Sequence, residues 1–154
     1  MVDAMLRRAT VDDLPAIDQV VDEAYRKYVA RIGRRPAPMD ADYAELLGSA
    51  TVWVLSSPSG VLGVLVTHVR SDHLFLETVA VASTAQGRGY GATLLARAEE
   101  DAHQARLDEI RLYTNIAMTE NLSFYPRHGY LETHRERQDG FDRVFFAKSL
   151  RPQS

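Results

Sequence analysis

The chain has 154 residues, 45% hydrophobic and 25% charged, which suits a single globular domain spanning 1–154 with its own core. Eighteen Lys and Arg against 21 Asp and Glu give a formal charge of −3, which argues against a nucleic-acid binder, and the lack of cysteine excludes disulfides, thiolate metal sites and a cysteine nucleophile. No apolar run approaches the roughly 18 residues of a membrane span, and Met1 to Arg8 lacks the apolar core of a signal peptide, so the expectation is a cytoplasmic protein with no membrane association.

Met5 to Ala9 reads as a short first strand. Thr10 and Asp13 then form a capping pattern, and acidic residues at 12 and 13 suit the positive end of a helix dipole. Leu14, Ile17, Val21, Ala24 and Tyr28 follow at helical spacing. Pro15 is tolerable because it falls in the first turns. The segment Arg31 to Tyr43, with a Gly, two prolines and three arginines, breaks the period and reads as a structured loop with a helix resuming near Asp40.

Thr51 to Leu55 and Val61 to Val69 are rich in β-branched residues and flank the turn cluster SSPSG. Leu74 to Val81 is the most apolar strand, and its near-continuous run predicts burial on both faces. A helix from Gly91 to Arg106, a strand from Ile110 to Thr114 and a short helix from Thr119 to His128 follow, the last with Gly129 as its C-cap. Tyr130 to Arg137 and Arg143 to Lys148 close the chain as a hairpin about Asp139-Gly140. The order predicts an α/β (α+β) fold: a mixed, mostly antiparallel sheet of six to seven strands flanked by about four helices. Its one parallel crossover lies at 74 to 114.

The stretch Gln86-Gly87-Arg88-Gly89-Tyr90-Gly91 follows a buried strand and opens a helix. Glycines allow positive φ and close approach of the backbone. The first amides of a helix lack internal partners and its dipole is positive at that end, so a pyrophosphate is the natural guest. Arg88 could add a charge-assisted bond. A structural Gly-rich loop and a dinucleotide fingerprint are the competing readings. The second expects the first strand of a parallel sheet, whereas three hairpin-linked strands precede this motif. Glu77 interrupts the apolar strand with a carboxylate and, by period two, shares a face with Phe75, Val79 and Val81. Being costly to bury unpaired, it must reach water, a donor or a substrate. Tyr25 and Tyr28 share a helix face beside Arg31, Arg34 and Tyr43, and aromatics with arginines could clamp a carboxylate or phosphate on a substrate. No spacing among the five histidines suggests a metal site.

The stretch LETVAVASTAQGRGYGATLLARAEEDA resembles the acetyl-CoA-binding core of the GNAT (Gcn5-related N-acetyltransferase) superfamily, with Gln86, Gly89 and Gly91 filling its Q/R-x-x-G-x-G/A signature. LYTNIAMTENLSFYPRHGY resembles the family's next block. The resemblance implies an acetyl-CoA-dependent N-acetyltransferase acting on a primary amine of an acceptor it does not identify, a small molecule being the expectation and a protein terminus the alternative; no metal is expected. It implies that the backbone at Val79, Ala80 and Val81 pairs with the pantetheine arm, and that Gln86, Gly87, Arg88, Gly89, Tyr90 and Gly91 hold the pyrophosphate. Asn115 and Asn121 would bond the pantetheine amides. Tyr125 would protonate the departing thiolate, with Pro126 beside it able to displace the phenol. Glu77 resembles the family's general base, with His68, His73, His128 and His134 as alternatives. Tyr25, Tyr28, Arg31 and Arg34 fall where the family shapes its acceptor pocket. Family members are often homodimers. The rival reading is a non-catalytic acyl-CoA-binding or sensor module.

Overall fold

The computed structural model describes residues 4–152. Seven strands form one sheet in the order β1-β2-β3-β4-β5-β7-β6. They are β1 (Met5–Arg8), β2 (Thr51–Ser57), β3 (Gly60–Val69), β4 (Leu74–Val81), β5 (Glu109–Asn115), β6 (Leu131–Gln138) and β7 (Phe141–Ser149). The α-helices are α1 (Leu14–Ile32), α2 (Ala37–Asp40), α3 (Tyr43–Ser49), α4 (Tyr90–Gln104) and α5 (Thr119–Arg127). Among the described residues no helix is long and apolar enough to cross a membrane.

Alternation along the central strands sends side chains to two cores. Val64 and Val66 join Ile17, Val21 and Tyr25 of α1 on one face, while Leu65 joins Leu94, Leu95 and Ala98 of α4 on the other. The sheet is thus covered on both sides. At the start of α1, Asp13 accepts two hydrogen bonds from Arg7, at 2.7 and 2.8 Å, and one from the Thr10 amide at 2.8 Å. This completes the capping box expected from Thr10 and Asp13. The last hairpin turns at Asp139 and Gly140, both at positive φ, as the sequence anticipates.

Two expectations need correction. The irregular segment is shorter than Arg31 to Tyr43: α1 runs on to Ile32, Gly33 ends it with φ 86°, and the next full helix starts at Tyr43, capped by the Asp42 side chain on the Glu45 amide. Strand β4 is covered on both faces, as expected: Leu74 and Leu76 lie in the α4-side core and Ala80 in the α1-side core. Its pairing with β5 covers only Leu74 with Ile110 and Phe75 with Arg111, so beyond Phe75 one edge is open. Second, Glu77 does not share a face with Val79 and Val81. Thr67 pairs with Leu76 and Val66 with Thr78, which leaves Glu77 unpaired as the extra residue of a β-bulge. The bulge reverses the alternation. Phe75 lies opposite His68, while Val79 lies opposite Leu65 on the α4 face.

Candidate active site

The open edge of β4 faces two adjoining hollows. The first is a cleft of about 650 Å³ along β4, the Gly-rich turn and α5. Gly87 and Gly89 have φ of 82° and 81°, and Gly89 is the N-cap of α4. This left-handed backbone turns successive amides toward the cleft. Among the described residues, the N–H groups of residues 87 to 92 find no backbone acceptor. Together with the dipole of a four-turn helix they form an anion cradle. Gly91 is needed for a different reason, because a Cβ there would stand 3.0 Å from the Phe124 ring. The Gln86 side chain points back instead, donating to the Val81 carbonyl at 3.2 Å. Arg88 is exposed and does not line the cleft, whereas Lys27 and Arg127, which local pattern did not single out, do.

The second hollow is a cavity of about 240 Å³ between the diverging halves of β4 and β5. Glu77, Asn115 and Tyr125 line it. Tyr25, Val79 and Asn121 line both hollows, so the two meet there. The Tyr25 hydroxyl donates to the Val79 carbonyl at 3.0 Å. The Val79 and Val81 carbonyls therefore face the open edge rather than β3, and their N–H groups point the same way. Asn121 donates to Thr114 Oγ1 at 3.0 Å, and Asn115 accepts from the Ala117 amide at 2.8 Å, which closes the turn into α5.

Tyr125 is 5% exposed and packs among Phe124, Tyr130 and Phe146. Burial away from water pushes its phenol well above the ordinary tyrosine range, so it holds its proton at neutral pH. Pro126 leaves α5 intact through Arg127, and the Tyr125 carbonyl accepts the amides of both His128 and Tyr130. Glu77 has a donor that the sequence reading did not pair with it: His68 Nε2 lies 2.8 Å from its carboxylate, with only 14% of the imidazole side chain exposed. The other histidines sit elsewhere. His73 bonds Asp72, His128 lines the cleft, and His134 stacks on Phe145.

The expected acceptor clamp is divided. Tyr28 donates to Glu120, and Arg31 bonds the same carboxylate at 2.8 Å. These two bonds, from Tyr28 first, hold the Glu120 carboxyl down at about 2. Arg34 lies 3.7 Å above the Phe141 ring and bonds the Asp139 carbonyl at 3.2 Å. Of the four predicted residues, Tyr25 alone reaches the cavity. The cation that does line it is Arg143 of β7, which no local pattern marks.

Residues 15–130 match the Acetyltransferase (GNAT) family. An aminoalkylphosphonate N-acetyltransferase of Salmonella typhimurium is 29% identical over 137 residues, 84% of this chain and 86% of that protein. The PaiA N-acetyltransferase from Thermoplasma acidophilum, solved in complex with coenzyme A, superposes with a TM-score of 0.80 at 19% identity, covering 96% of this chain and 99% of that one. The ribosomal-protein-S18-alanine N-acetyltransferase from Escherichia coli gives 0.78 at 18% identity over 99% and 97%. The chain belongs to the GNAT acetyltransferase family and is an N-acetyltransferase.

Proposed function

We propose that this protein transfers an acetyl group from acetyl-CoA to the primary amine of a small acceptor, by direct attack while both substrates are bound. The observation that carries this reading is the meeting of cleft and cavity at Tyr25, Val79 and Asn121. The free amides of residues 87 to 92 suit the diphosphate of coenzyme A, and the outward-facing N–H groups of Val79 and Val81 suit its pantetheine arm. A thioester running along the open edge of β4 would then end beside Glu77 and Tyr125. The volume of the cavity supports a small acceptor. The aminoalkylphosphonate in the Salmonella relative's name is a small amine of this kind.

The residues would divide the reaction as follows. Glu77, steadied by His68, takes the proton that the attacking amine loses as the C–N bond forms. The Val79 amide polarises the carbonyl under attack. As the C–S bond breaks, Tyr125 gives its proton to the departing sulfur. Solvent then reprotonates Tyr125 and takes the proton held by Glu77. Positioning two reactants in one channel supplies most of the rate. Without cysteine, no cysteinyl acetyl-enzyme forms.

Initial-rate measurements of thiol release from acetyl-CoA with a panel of primary amines test the proposal. Turnover that requires an amine, with intersecting double-reciprocal patterns, is the expected result. Calorimetric binding of CoA without turnover on any amine would favour the sensor module instead.

A further inference from the structure

Among the described residues lining the cavity, Glu77 and Arg143 alone are charged, and they are not paired with each other. Arg143 is 9% exposed. Its guanidinium carbon lies 4.3 Å from the Tyr113 ring centroid and 5.6 Å from that of Phe141. One nitrogen donates to the neutral Gln138 amide oxygen at 3.0 Å. The nearest carboxylate, on Asp139, is 3.7 Å away and 83% exposed, so solvent screens it. A guanidinium has five N–H donors, and a buried charge normally acquires a close, desolvated partner. Here the cation is buried, its compensation is incomplete, and its open side borders the cavity.

Glu77 stands on β4 and Arg143 on β7, with β5 between them. Their backbones are thus about 10 Å apart or more, given two strand spacings. The side chains reach toward the same volume from opposite walls, one negative and one positive. That polarity fits a molecule with an ammonium at one end and an oxyanion at the other. We infer that the acceptor is a short amine bearing an oxyanion, carboxylate or phosphonate, and that Arg143 is the residue that binds this anion. The inference rests on the acetyl-transfer reading above and adds the substrate class. The planar fork of Arg143, beside the Tyr113 and Phe141 rings, donates to two oxygens at once. The bound anion becomes the partner the guanidinium lacks and aims the amine at Glu77.

The test compares kcat/KM for β-alanine, 2-aminoethylphosphonate and the neutral amine ethanolamine, in the wild type and in Arg143→Gln and Arg143→Lys. The ratio of anionic to neutral acceptor is read within each protein, so differences in folded fraction cancel. The wild type should favour an anionic amine at least about thirtyfold. Arg143→Gln should bring that ratio to within about threefold of unity, and Arg143→Lys should fall between. The phosphonate and carboxylate arms report which oxyanion is preferred. A wild-type ratio near one, or a ratio that Arg143→Gln leaves intact, overturns the assignment while acetyl transfer stands. Turnover on none of the amines, ethanolamine included, overturns both.

Discussion

The cleft and the cavity share three residues yet are built on opposite principles. One wall of the cleft is backbone drawn from a single stretch, residues 79 to 92, whose conformation follows from local composition, and it faces side chains of α1 and α5. The cavity is lined by side chains from distant parts of the chain: Tyr25 on α1, Glu77 on β4, Tyr125 on α5 and Arg143 on β7. Main-chain amides offer the same groups whatever the sequence around them, so a backbone site suits a ligand part that never varies. Side chains gathered by the fold can change one at a time, which suits a variable partner. The physical difference also separates affinity from chemistry. Substitutions at the cleft should act on CoA binding, and those at the cavity on turnover and acceptor choice.

The largest expected effect lies on the cavity side. Tyr125→Phe keeps the buried ring and removes the proton, so kcat should fall by roughly 10²- to 10⁴-fold while calorimetric CoA affinity stays within about twofold. Weaker CoA binding with unchanged kcat would erase the distinction between the hollows. On the cleft side, Gly89→Ala places a Cβ on a residue at φ 81°, a strain of about 1–2 kcal/mol. CoA dissociation constants should rise by up to about tenfold, with kcat at saturation little affected. A loss of kcat at saturating acetyl-CoA would show that the turn also shapes the reacting centre.

The smallest effect belongs to neither hollow. The Arg7 hydrogen bonds, with help from the Thr10 amide, hold the Asp13 carboxyl at about 2, below its usual 3.8. A carboxyl depressed in the folded chain contributes stability above its unfolded value and loses it as pH falls through the folded one. Asp13 should therefore stabilise the fold by about 2 kcal/mol at most at neutral pH, and lose this between about pH 4 and pH 2. Asp13→Asn should lower Tm at pH 7 and flatten its fall across that window, without changing the anionic-to-neutral acceptor ratio. An unchanged acid profile would remove the ion pair as the cause.

The outline of the fold was legible because hydrophobic period is a local property. Strands with apolar alternation, the α4 stripe and the turn at Asp139-Gly140 all declare themselves within a dozen residues. The Gly-rich turn was legible for the same reason. Glu77 stood out as a carboxylate in an apolar strand, yet its face was misjudged, since a bulge forms only when β3 supplies the pairing that skips it. His68, nine residues earlier, became its partner through that same pairing. Tyr28 and Arg31 were expected to face a substrate, but Glu120 of α5, almost ninety residues on from Arg31, holds them both.

What the residues determine by themselves is therefore the succession of elements and the backbone cradle that opens α4, because these depend on φ, period and capping over short distances. What only tertiary structure decided is the charge map of the cavity. Electrostatic partnership depends on distance through space and on exclusion of water, and neither is written along the chain. Arg143 sits beside an inconspicuous hairpin in sequence, and becomes a buried cation only once β7 lies against β5.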